Sequence, residues 1–83
     1  MITIVVMKKC NIDEKKTLIT FGSNVRIIRN NLKISQEELA FQANLDRGYI
    51  SDIEKGKRNV SILVIKQISL ALNVTVAKLL EEV

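Results

Sequence analysis

The sequence contains no proline, no histidine and no tryptophan, only three glycines, and aromatic residues make up 4% of its 83 positions. β-Sandwiches and barrels draw heavily on turn residues and on aromatic strand formers, so this shortage points to helices. The lone cysteine, Cys10, cannot form an intramolecular disulfide, and without histidine no paired ligand spacing for zinc exists; Cys10 is expected to be an idle thiol. Histidine-based acid or base chemistry is excluded on the same ground. There is also no glycine-rich phosphate loop and no paired set of carboxylates in a plausible cleft, so neither an enzyme nor a cofactor or metal protein is expected.

What is present suits one small, folded domain. Hydrophobic residues make up 47% of the chain, which is core-forming material rather than the composition of a disordered segment. The length supports one core and not two. Thirteen Lys and Arg against nine Asp and Glu give a net charge of +4, which favours a polyanionic partner if the cations cluster on one surface. The apolar run from Met1 to Met7 has no positive region before it, no small-residue cleavage pattern after it and too few residues to span a bilayer. The expected location is therefore the cytoplasm, with no membrane partner.

Residues 1–17 read as an N-terminal arm, with Ile2, Ile4, Val5 and Val6 in a short strand-like run and Met7 a natural start in its own right. Residues 18–83 read as the domain. Phe21, Val25, Ile28 and Leu32 line one face of a first helix. Ser35, three residues before Glu38, is a capping-box signature that starts a second helix at Gln36; Asn44, tolerant of a left-handed backbone, ends it after Ala43. Asp46 is placed to cap a third helix from Arg47, which Gly56 stops. A fourth helix follows Ser61 and runs to Leu72, with Asn73 as its terminator. Thr75 caps a fifth, Val76 to Glu82.

The second and third helices, joined by the turn Asn44, Leu45, Asp46, share apolar contacts from Leu39, Ala40, Ala43, Leu45, Ile50 and Ile53. This is the spacing of a helix-turn-helix, whose second helix enters the major groove of DNA, although an ordinary helical hairpin has the same spacing. At about 100° per residue, Ile50 and Ile53 point inward and leave Arg47, Gly48, Ser51, Asp52 and Lys55 outward. That face is short and polar, as groove insertion requires. Arg47 suits a bidentate contact to guanine, Ser51 a contact to either base type, and Asp52 an acceptor position opposite cytosine. A carboxylate near phosphates is also repelled, so Asp52 has a second reading: it orients Arg47 or excludes wrong sequences. Around this face, Gln36, Tyr49, Lys55, Lys57, Arg58 and Asn59 are candidates for phosphate contacts, which fix register without reading sequence.

The run SQEELAFQANLDRGYISDIEKGKRNVSILVIKQISLALNV resembles the helix-turn-helix domain of the lambda-repressor and Cro family, and its inner string LDRGYISDIEKGKRN resembles most closely the controller proteins of restriction-modification systems. The likeness spans about residues 21 to 80. It implies an all-α, five-helix domain, Gln36 and the Lys55 to Asn59 segment on phosphate, and Arg47, Gly48, Ser51 and Asp52 toward bases. It also implies that Arg29 on the first helix pairs with Glu54 on the third. That pairing has an independent rationale, because a carboxylate beside the inward face needs a partner. Three positions depart from the family pattern: Asn44 stands where glycine is frequent, Gly48 replaces a larger residue, and Val60 replaces a common proline.

The fourth helix carries more apolar surface than one core can hide. Ile62, Ile65, Ile68 and Leu72 suffice for the inward stripe, which leaves Leu63, Val64 and Leu70 elsewhere around the cylinder. With Val76, Leu79 and Leu80 these are the candidates for a homodimer interface; a merely apolar surface is the alternative. A two-fold dimer would set two recognition helices roughly 34 Å apart, matching a palindromic operator in double-stranded DNA. The expected function is thus a homodimeric transcriptional regulator of a restriction-modification operon, with RNA polymerase as a further partner. A phage-type repressor and an antitoxin that acts through protein contacts are the alternatives.

Overall fold

The computed structural model describes residues 12–83; Cys10, the Met1 to Met7 run and the remainder of the arm before Ile12 lie outside the described residues. Five helices follow in order: α1 (Glu14–Asn31), α2 (Gln36–Ala43), α3 (Arg47–Glu54), α4 (Ile62–Leu72) and α5 (Val76–Leu79). The fold is all-α among the described residues. None of the described helices is long and apolar enough to cross a membrane.

The caps explain most of these boundaries. The side chain of Ser35 accepts from the Glu38 amide at 3.0 Å, that of Ser61 from Val64 at 3.2 Å, and that of Thr75 from Lys78 at 3.0 Å. Each satisfies an amide that the first turn of a helix leaves without a partner. Asn44 and Asn73 both close their helices in the left-handed region, at φ 59° and 57°. The helix α3 ends at Glu54 with Lys55 as its C-cap, and Gly56 follows with a φ of 74° that glycine adopts freely.

Two boundaries and one cap differ from the sequence expectation. The first helix begins at Glu14, because Asp13 is an N-cap: its Oδ1 accepts from the Lys16 amide at 3.1 Å, with Glu14 in the first turn facing the helix dipole. Asp46 occupies the N-cap position of α3 with extended backbone, but its carboxylate makes no capping hydrogen bond. The last helix stops at Leu79 rather than Glu82, and Glu82 itself turns to φ 65°.

The core is assembled from all five helices: Phe21 and Val25, Leu39, Ala40 and Ala43, Ile50 and Ile53, Ile65, Ile68 and Leu72, and Leu79. The helix α3 packs against both α1 and α2, while α4 lies against α2 and α5 closes over α1 and α4. Two residues assigned to inward stripes are outside it. Leu32 is the C-cap of α1 and 49% exposed, and Ile62 is the first residue of α4 and 66% exposed. Conversely Leu79, placed on the partner surface from sequence, is 0% exposed and belongs to the core.

Two polar side chains bolt the helices together. Asn24 on α1 donates from Nδ2 to the carbonyls of Leu79 and Glu81, at 2.9 and 2.8 Å, and so holds the end of α5. Gln67 on α4 donates from Nε2 to the Ala43 carbonyl at 3.0 Å, which supplies a partner to the open end of α2. The approach of α1 to α3 requires Gly22. A Cβ there would run into the Ile53 carbonyl and come within 3.0 Å of the Glu54 carbonyl carbon.

Candidate nucleic-acid interface

The short turn between α2 and α3 sets the orientation of the third helix. The left-handed Asn44 reverses the chain, and the Leu45 amide donates to the Ala40 carbonyl at 2.8 Å, so α3 starts at once across the end of α2. Ile50 and Ile53 are buried and fix its rotation. Arg47, Gly48 and Lys55 are exposed and Ser51 and Asp52 half-buried, so the five outward residues share one face. Gly48 has open space around it: an added Cβ would meet only Asp46 Oδ2, at 3.4 Å.

Behind this face sits a clamp. Glu54 is held by Arg29, whose Nε donates to Oε2 at 2.6 Å and Nη2 to Oε1 at 3.0 Å, and by Gln36, whose Nε2 donates to Oε1 at 3.0 Å. Arg29 Nη1 also donates to the Ile34 carbonyl at 2.9 Å, which ties in the loop after α1. The side chain of Glu54 is only 3% exposed and that of Arg29 11%. The hydrogen bond to Glu54 raises the Arg29 pKa above its ordinary value, against the opposing effect of burial. One ion pair thus joins α1, α3 and, through Gln36, the first turn of α2. The candidate phosphate ligand Gln36 has its amide nitrogen committed to this network and its side chain at the margin of the outward surface.

The loop after α3 carries the other cations. The Lys57 amide donates to the Asp52 carbonyl at 2.9 Å, which anchors the loop beneath the outward face. Lys57, Arg58 and Asn59 are exposed along it. The guanidinium of Arg58 lies 4.7 Å from the centroid of the Tyr49 ring, and its Nε donates to Asp52 Oδ2 at 3.4 Å. Asp52 therefore pairs with Arg58; orienting Arg47, one of the alternatives the sequence left open for it, is not the contact it makes. Tyr49 is half-buried, with its ring packed on the core.

One cation escaped sequence reasoning. Arg26 lines a shallow cleft together with Arg29, Gln36, Glu54 and Lys55, and so stands beside the start of α2 on the same side as the clamp. Its position three residues before Arg29 on α1 was the available signal, since residues i and i+3 share a helix face. Arg26 and Lys55 flank the cleft as two exposed positive charges.

A helix whose small polar side faces outward, backed by isoleucines and bordered by exposed cations, has the form that a DNA-reading helix requires. The chain belongs to the helix-turn-helix family, whose pattern matches residues 25–79. It is 53% identical over 62 residues to control protein C.BamHI of Bacillus amyloliquefaciens, covering 74% of this chain and 76% of that one. It is 41% identical over 66 residues to control protein C.MunI of a Mycoplasma species, covering 78% and 89%. The crystal structure of the restriction-modification controller protein C.AhdI from Aeromonas hydrophila superposes with a TM-score of 0.74 at 40% identity, over 75% of this chain and 94% of that one. The protein is thus a helix-turn-helix DNA-binding regulator homologous to restriction-modification controllers, and its family is one of transcriptional regulators rather than enzymes.

Proposed function

We propose that the protein acts in the cytoplasm as a homodimer that binds a palindromic operator and controls the genes of a restriction-modification system. The observation that carries this reading is the outward face of α3, where the exposed Arg47 and Gly48 and the half-buried Ser51 and Asp52 line one side of a helix whose back is sealed by Ile50 and Ile53. Arg47, Ser51 and Asp52 read base edges, Arg47 as a bidentate donor to guanine and Asp52 as an acceptor from an amino group. Gly48 lets the backbone approach the groove without adding a contact of its own. Lys57, Arg58 and Asn59 in the loop after α3, with Tyr49 beneath Arg58, and Lys55, Gln36 and Arg26 around the cleft engage phosphates and set register.

Dimerisation uses the apolar surface that the core leaves uncovered. Leu63 and Leu70, one heptad apart on α4, are 72% and 68% exposed, and the half-buried Val64, Val76 and Leu80 lie partly against the core at the margins. Exposed leucines at this spacing form a stripe that a second copy can cover by two-fold symmetry. The dimer places its two recognition helices in successive major grooves, and occupancy sets the output: a bound dimer positions RNA polymerase at one site and blocks it at another. Selection of bound duplexes from a random pool tests the reading. A spaced palindrome supports it, and a pool that enriches no sequence refutes it.

A further inference from the structure

The arrangement of Asp52, Arg58 and Tyr49 at the edge of the reading face carries an inference that rests on the DNA-binding role of α3. The carboxylate belongs to α3, whereas the guanidinium belongs to the loop that follows it, six residues on. Because the Lys57 amide is tied to the Asp52 carbonyl, Arg58 leaves the backbone directly beside Asp52. Its planar head then lies over the Tyr49 ring with Nε toward the carboxylate. The contact is long at 3.4 Å, and the two side chains are 52% and 40% exposed. An ion pair and a cation–π contact this open to water are weak and readily exchanged.

While paired, Asp52 and Arg58 together are neutral and release no counterion from DNA. Once freed, Arg58 adds one phosphate contact. Freeing it exposes Asp52 to the negative potential of the DNA backbone, which is unfavourable unless an N–H donor replaces the guanidinium. Amino groups on cytosine or adenine supply such donors in the major groove, and only at particular base pairs.

We propose that Asp52 determines selectivity by acting on Arg58: on arbitrary DNA it keeps the guanidinium over Tyr49, and it yields that cation to a phosphate only where a base amino group takes the guanidinium's place. Asp52 is thus a conditional brake on a phosphate contact as well as a base reader.

The test is a cycle of salt titrations with the full-length protein, its Asp52→Asn and Arg58→Ala variants and the double variant. Each is measured on an arbitrary 20-base-pair duplex and on the duplex recovered by selection. On arbitrary DNA, Asp52→Asn is expected to steepen the salt slope by about 0.9 and to tighten binding about fivefold at 0.15 M salt. There, Arg58→Ala flattens the slope by about 0.9 when combined with Asp52→Asn and much less in the wild type. On the selected duplex Arg58→Ala flattens both backgrounds alike, because Arg58 is already released. The specificity ratio of Asp52→Asn falls. Equal flattening in both backgrounds on both DNAs overturns the proposal, as does Asp52→Asn binding arbitrary DNA more weakly. Wild-type protein that discriminates between the duplexes while the cycle is flat refutes this proposal alone; wild-type protein that binds no duplex refutes the DNA-binding reading and this proposal with it.

Discussion

Replacing Arg29 with methionine removes one partner of a nearly enclosed ion pair and leaves the other in place. In the structure Glu54 has three hydrogen bonds, two from Arg29 and one from Gln36, with 3% of its side chain exposed. After Arg29→Met the carboxylate keeps only the bond from Gln36, and the Ile34 carbonyl loses the donor at 2.9 Å. Breaking a buried pair from one side costs about 3–5 kcal/mol, since the remaining charge is desolvated without compensation. The surviving Gln36 bond puts this case at the lower end, about 3 kcal/mol. For a domain of this size that corresponds to a melting temperature lower by roughly 12–24 °C. Urea denaturation followed by helical circular dichroism measures it. Adding Glu54→Gln to Arg29→Met removes the stranded charge while keeping an acceptor for Gln36, so the double variant is expected to be more stable than the single one by at least about 1 kcal/mol. If Arg29→Met costs less than about 1 kcal/mol, as an exposed pair would, or if Glu54→Gln recovers nothing, the pair does not hold α1 to α3 in the way described.

Three further outcomes are expected. Arg47→Ala weakens binding to the selected duplex by about 1–3 kcal/mol and relaxes preference at one base pair, measured by competition among single-base variants; equal weakening on every sequence contradicts base reading. Gly22→Ala costs about 1–3 kcal/mol in chemical denaturation, because the new methyl group meets the α3 backbone, whereas Gly48→Ala, in open space on a helix, is neutral or stabilising by up to about 1 kcal/mol; a Gly22→Ala variant that is neutral or stabilised would refute the close approach of α1 to α3. Leu70→Asp places a charge in the exposed stripe of α4 and is expected to give monomers in sedimentation equilibrium with the melting temperature retained, and a variant that remains dimeric moves the interface elsewhere.

Features that depend on neighbours in the chain were legible from sequence, and features that depend on distant packing were not. Ser35, Ser61 and Thr75 cap helices through amides three residues away, and Asn44 and Asn73 tolerate a left-handed backbone by themselves, so these boundaries follow from local chemistry. Asp13 obeys the same rule, and its cap was missed only because the apolar periodicity of α1 begins later than the helix does. Leu79 shows the opposite limit. An apolar residue on the last short helix suits a partner surface or a core equally well by pattern, and the choice is made by Asn24, fifty-five positions earlier, which grips the carbonyls of Leu79 and Glu81 and turns the side chain inward. Gly22 reads as a neutral residue in a helix until the Ile53 and Glu54 backbone is seen against it. At the reading face the division runs through single side chains. Which residues of α3 point outward follows from helical phase and two isoleucines, but the partner of Asp52 is fixed by the path of the loop beyond Gly56, where the Lys57 amide and the Tyr49 ring bring Arg58 back toward α3. Helical phase therefore tells which groups of α3 face outward, while the return of that loop decides which of those groups are already engaged with a neighbour.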